Sequence, residues 1–246
     1  MNFIFIILTF LISAVIARIL IPRILLISLR KKLFDIPDDR KIHKRAIPRL
    51  GGVSFFPTTL FAFCLVYAFR MLDGDSISTL YASYLLPELL LFACGMTLLY
   101  LTGIADDLVG VRYRQKFAIQ IFCACLFPLS GLWINDLYGL FGIHELSAYV
   151  GIPFTVLTVV FITNAINLID GIDGLASGLS SVALLVFTFL FISKGLWSYA
   201  MLSAGTFGVL VPFFYYNVFG SVERARKIFM GDTGSCLLYT SPSPRD

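Results

Sequence analysis

The sequence predicts an all-α, polytopic membrane protein with about seven transmembrane helices and the start of an eighth. Three observations carry that prediction. Hydrophobic residues make up 58% of the 246 positions and charged residues only 14%, with a mean hydropathy of +0.88. Soluble domains run nearer a quarter charged. The apolar residues come in long unbroken runs without period-2 alternation, which favours helices over a barrel. The basic residues sit almost entirely in alternate loops, as the positive-inside rule requires of a multi-pass chain.

A span needs about 20 apolar residues, and seven runs qualify, near 3–28, 52–71, 85–104, 117–134, 149–167, 175–193 and 198–216. The first, "MNFIFIILTFLISAVIARIL", lacks a basic leader and a small-residue cleavage site, so it is expected to be retained as a span. The loop after it holds Arg30, Lys31, Lys32, Arg40, Lys41, Lys44, Arg45 and Arg49. Arg112, Arg114 and Lys116 follow the third run, and Arg224, Arg226 and Lys227 follow the seventh. The intervening loops offer only Arg70 and Lys194 at their edges. The basic loops are therefore cytoplasmic and the N-terminus outside. Cys64, Cys94, Cys123 and Cys125 lie in apolar runs and imply no disulfide framework.

An eighth run begins after "MGDTGS" and stops in "YTSPSPRD", where proline, serine and charge cannot continue a span. Residues 1–236 are read as one transmembrane domain incomplete at its C-terminus. Residues 237–246 are expected to be a non-native tail.

Acidic residues beside glycines share the cytoplasmic side: Asp106 and Asp107, Asp170 and Asp173, and Asp232. Each alone reads equally well as a helix cap; three such clusters on one face suggest one site. In "GIADDLVGVRYRQK" two adjacent carboxylates diverge by about 100° on a helix, so they are expected to do different jobs. Lys116 is either a lysine snorkelling to head groups or a phosphate contact, and spacing alone favours the first. In "NAINLIDGIDG", Asn164 and Asn167 are three apart, as are Asp170 and Asp173, so each pair would share a face of a continuing helix. Their amide and carboxylate oxygens are hard ligands suited to Mg²⁺. "GLASG" reads first as close helix packing at Gly174 and Gly178. "RARKIFMGDTGS" sets Asp232 between small residues, as suits a metal ligand. Phe229 reads first as core or interface anchor, with base stacking as the alternative. "DIPDDRKIHKRAIPRLGG", containing His43, is a polybasic loop attractive to anionic lipid or to a phosphorylated substrate. Nothing reads nucleic acid.

These four stretches, in this order and on one side, resemble the polyprenyl-phosphate N-acetylhexosamine-1-phosphate transferases (glycosyltransferase family 4). The resemblance covers nearly the whole chain to about residue 236. It is nearer the bacterial undecaprenyl-phosphate GlcNAc-1-phosphate transferases than the MurNAc-pentapeptide branch, which typically has Thr-Pro-Thr-Met-Gly-Gly where this chain has "IPRLGG". It implies Mg²⁺ as cofactor, with Mn²⁺ as an alternative. It implies a UDP-N-acetylhexosamine, undecaprenyl phosphate and membrane lipid as partners, and leaves a homodimer open.

It also implies roles. Asp232 and Asn167 would be metal ligands, and Lys116 would contact the diphosphate. Asp173 would contact uracil and Phe229 stack on it. Asp106 and Asp107 would lie at the lipid-phosphate end, and Asp170, Asn164 and His43 would belong to the substrate-binding loops. Asp107→Asn is expected to cut turnover with little loss of UDP-sugar affinity. A His-rich loop that the family carries downstream of Asp232 is not in this sequence. The rival readings are an ion-coupled transporter, for which the acids lie at a face and not at the midplane, and a non-catalytic scaffold.

Overall fold

The computed structural model describes residues 2–31, 33–35, 47–48, 50–72, 76–170, 172–221 and 227–239. Seven long helices follow the predicted runs: α1 (Asn2–Arg30), α2 (Phe55–Leu72), α3 (Ser76–Val109), α4 (Tyr113–Leu129), α5 (Ala148–Ile169), α6 (Leu175–Ser193) and α7 (Trp197–Val218). Six are long and apolar enough to cross a membrane, and the chain is a multi-pass membrane protein. The seventh, α4, has 17 residues and ends before the predicted boundary at 134. Pro128 lies in its last turn, and Gly131 follows with φ +83, where only a residue without a Cβ sits comfortably. The expected start of an eighth span is α8 (Gly231–Tyr239). Among the described residues the extended pairing is slight: β1 (Phe34–Asp35) pairs antiparallel with β2 (Ile47–Pro48), and a lone bridge joins Asp136 to Glu145. His43 lies outside the described residues, so its expected substrate role has no structural counterpart here.

Helix α7 is the hub, the most deeply buried of the six long apolar helices, and it packs on α1, α2 and α6. Lipid is as apolar as leucine, so association in a membrane depends on close packing. The run "SAGTFG" supplies the small side chains for it: Gly205 is buried against Thr9 and Ser13 of α1 and Thr59 of α2, and Ser203 donates its hydroxyl to Leu184 O of α6 at 2.9 Å. One cluster joins Ala17, Ile21 and Leu25 of α1, Phe55 of α2 and Phe213 of α7 to Ile228, Met230 and Leu238. That cluster is the floor on which the short α8 rests.

Helix α8 is wedged between α3, α5 and the 3₁₀ turn Leu50–Ser54. The strand-like approach 228–230 is knitted to that turn. Phe229 N–H donates to Pro48 O (2.9 Å), Gly51 N–H to Phe229 O (3.0 Å) and Gly52 N–H to Met230 O (2.7 Å). Backbone meets backbone at two glycines: a Cβ on Gly103 would lie 2.5 Å from Thr233 Cα, and one on Gly52 2.2 Å from Gly234 Cα. Gly103→Ala is therefore expected to displace α8 and cost about 1–3 kcal/mol, read as a lowered Tm. A Tm within a degree or so of wild type would refute that tight fit.

Candidate active site

Four elements bring their polar ends together at the inner end of the bundle. Asp106 and Asp107 come from the last turn of α3, Lys116 from the first turn of α4 and Asn167 from the last turn of α5. Asp170 follows α5 directly, and Asp232 begins α8.

Asp106 shapes the α3–α4 turn. Its Oδ1 accepts the Val111 N–H at 2.7 Å, and its Oδ2 accepts Lys116 Nζ at 2.8 Å. Lys116 also donates to Asp232 Oδ1, which further accepts Asn167 Nδ2. Asn167 Nδ2 reaches Ser235 Oγ at 2.9 Å as well. Lys116 and Asn167, which precede Asp232 by 116 and 65 positions, thus share one of its carboxylate oxygens. Side-chain exposures of 13% for Asp106, 18% for Lys116 and 22% for Asp232 leave the cluster half-buried but reachable from outside.

Asp107 and Asp170 do something else. The first N–H groups of a helix have no partner within it and attract negative charge. Asp107 Oδ1 accepts the Asp232 N–H (2.8 Å), and its Oδ2 accepts the Thr233 N–H (3.0 Å) and Thr233 Oγ1–H (2.6 Å). Asp170 Oδ2 accepts the Gly231 N–H at 3.0 Å. The two carboxylates clasp the N-terminus of α8 and so fix where Asp232 points. Loss of hydration on burial pushes the Asp170 carboxyl up to about 7, against the pull of the Gly231 and Met230 backbone and with the push of the Asp107 and Asp232 charges.

The remaining sequence-predicted residues sit around this centre. Asn164 donates to Gln120 Oε1 (2.9 Å) and to Val160 O (2.8 Å), which ties α5 to α4 one turn past Lys116. Asp173 pairs with Lys227. Phe229 is 7% exposed and lies in the seam with the 3₁₀ turn, so the structure does not present its ring as an open platform. Gly174, with φ +73, packs against Val218 and donates its N–H to Asn217 Oδ1 at 2.7 Å. Thr233, Ser235 and Gln120 were not singled out in the sequence. The first two stand inside the quoted "GDTGS", but a hydroxyl beside a glycine carries no signal until its partner helix is known.

Mg²⁺ takes oxygen ligands from one or two carboxylates and leaves positions for water and substrate phosphates. Among the described residues no three His, Cys, Asp or Glu side chains form a ready-made metal set. The donors here fit the sparser arrangement: Asp232 and Asp106 both face one ammonium, and Asn167 and Ser235 adjoin. An ammonium bridging two carboxylates marks a place where the protein favours positive charge.

The sequence profile described as Glycosyl transferase family 4 matches residues 89–240, which include every member of this cluster. Over 239 residues, 97% of this chain and 61% of the relative, the chain is 31% identical to a probable undecaprenyl-phosphate N-acetylglucosaminyl 1-phosphate transferase of Bacillus subtilis (strain 168). It is 29% identical over 86% of its length, and 54% of the relative's, to the undecaprenyl-phosphate alpha-N-acetylglucosaminyl 1-phosphate transferase of Yersinia pestis. It is 30% identical over 97% of its length to the phospho-N-acetylmuramoyl-pentapeptide-transferase of Staphylococcus carnosus (strain TM300), covering 73% of that protein. The chain thus spans between half and two thirds of the first two relatives. With three of the four motif regions meeting in one cluster and the profile running through all three, the chain belongs to glycosyl transferase family 4.

Proposed function

We propose that the chain transfers a GlcNAc-1-phosphate-type group from a UDP-amino sugar to undecaprenyl phosphate at the inner face of a bacterial cytoplasmic membrane. A lipid-phosphate oxygen attacks the β-phosphorus. The bond from that phosphorus to the bridging oxygen breaks, and UMP leaves with the oxygen. The sugar remains on its phosphate, now joined to the lipid through a diphosphate. The observation that carries this reading is the meeting of Asp106, Lys116, Asn167 and Asp232 in one half-buried cluster.

Asp232 and Asn167 would hold Mg²⁺, with Mn²⁺ as a substitute. A divalent cation there would offset diphosphate charge and steady the leaving UMP. Lys116 would stabilise charge on the transferred phosphoryl group. The lipid phosphate has a second pKa near 6, so it is largely ionised at neutral pH without a strong base. Asp106, already bonded to Val111 and Lys116, would position charge more than remove a proton. Asp173, beside Lys227, is the residue offered for the uracil edge.

A second reading, with a UDP-MurNAc-pentapeptide as substrate, is supported by the Staphylococcus carnosus relative, which aligns over as much of the chain. "IPRLGG" weighs against it. Release of UMP with a short polyprenyl phosphate and Mg²⁺, assayed with each nucleotide in turn, tests both. Release from UDP-GlcNAc alone is expected. Release from the pentapeptide nucleotide alone would favour the second reading, and release from neither would reject both.

A further inference from the structure

Lys116 stands where a cation belongs. Its Nζ bridges Asp106 Oδ2 (2.8 Å) and Asp232 Oδ1, and the other Asp106 oxygen is committed to the Val111 N–H. For Asp106, the oxygen that faces the ammonium is therefore the one left to offer an incoming ion, and for an ion seated between the two acids it is Asp232 Oδ1 that lies opposite. An ammonium is a compact point charge with three donors, and its N···O contacts are near 2.8 Å. A small divalent ion needs the same oxygens at about 2.0–2.1 Å. Both cannot sit between Asp106 and Asp232, because two cations a few ångströms apart repel strongly in a half-buried site.

We propose that Lys116 is an exchangeable counter-ion. Its ammonium holds the Asp106–Asp232 pair together, yields that place to a divalent cation, and swings out on its flexible stem to meet a substrate phosphate. Only the last of these steps rests on the transferase reading.

The geometry supports exchange over a permanent ion pair. Lys116 starts α4, just beyond the Gly110–Arg112 turn, so its four-carbon stem can pivot without moving a packed helix. Its side chain is 18% exposed, which leaves it a way out. The acids keep their places without it. Asp106 is fixed by Val111, and Asp232 is carried by an α8 terminus that Asp107 and Asp170 clasp. Asn167 can turn its amide over, exchanging the Nδ2 now on Asp232 for an oxygen toward the ion.

The test uses the whole detergent-solubilised chain and Mn²⁺ as probe, with no nucleotide present. Lys116→Gln is expected to bind Mn²⁺ roughly tenfold more tightly than wild type, as read from the free-Mn²⁺ electron paramagnetic resonance signal. Lys116→Arg, which keeps the positive charge, should bind no more tightly than wild type. An unchanged or weakened Mn²⁺ affinity in Lys116→Gln would overturn the proposal. A second measurement needs no variant. Acylation of Lys116 by an amine-reactive reagent, followed by mass spectrometry, should rise severalfold when Mg²⁺ is added to wild type; an unchanged or lower yield also overturns exchange. Adding UDP-GlcNAc with Mg²⁺ should then protect the amine. Exposure by Mg²⁺ without protection by the nucleotide would leave exchange standing and reject the phosphate contact.

Discussion

Asp232→Ala is expected to cut Mg²⁺-dependent UMP release at least about a hundredfold while leaving the fold almost unchanged. The reasoning separates what Asp232 gives to the site from what it gives to α8. Its carboxylate oxygen gathers Lys116 and Asn167, so removing it deprives the cluster of the acid shared by α4 and α5. Its backbone N–H, which Asp107 accepts, remains in the alanine variant. Helix α8 should stay docked, and the thermal unfolding midpoint should shift by little. Turnover within about tenfold of wild type would remove Asp232 from the chemistry. A large fall in the midpoint would show that its carboxylate is structural.

Asp107→Ala is expected to do the reverse in the first instance: to destabilise, by about 2–4 kcal/mol, and to lose activity as a consequence. Three donors at the head of α8 lose their acceptor at once. Asp107→Asn should be nearly as harmful. An amide keeps one oxygen, for Asp232 N–H or for Thr233, and sets an NH₂ against the other donor. Because the misplaced element carries Asp232, nucleotide affinity should fall together with turnover. The sequence led us to expect lost turnover with only a small loss of UDP-sugar affinity; the hydrogen bonds to α8 lead us to expect that affinity falls too. Measuring Tm, nucleotide Kd and turnover for both variants decides the matter. Full stability and affinity with lost turnover would restore a chemical role for Asp107.

Much of the architecture was legible because membrane spans declare themselves one segment at a time. Length and hydropathy placed α1, α2, α5, α6 and α7 within a few residues, since nothing outside each run decides whether it is long and greasy enough. The convergence of Asp106, Asn167, Lys116 and Asp232 was also legible, because loop charge told which side each belonged to. The division of labour among the acids was not. Asp106 and Asp107 are adjacent and chemically alike, yet one faces Lys116 and the other caps α8. That difference depends on where α8 docks, 125 residues later. Phe229 illustrates the same limit: its burial follows from backbone pairing with Pro48 and Gly51, which no local pattern announces. Asn164 shows the limit too: its amide NH₂ ties two helices through a glutamine on α4, a partner that no local pattern announces.

The clasp on α8 also has a history in time. A ribosome adds about 5–20 residues per second, so Asp107 is made roughly 6–25 s before the amides it will receive, given their separation of 125 positions. Asp170 is made later and precedes the amide it receives by only 61 positions, so the two acids of the clasp are laid down at different times before α8 exists. The acids are thus a socket first, and the polar cluster is complete only when α8 docks into it.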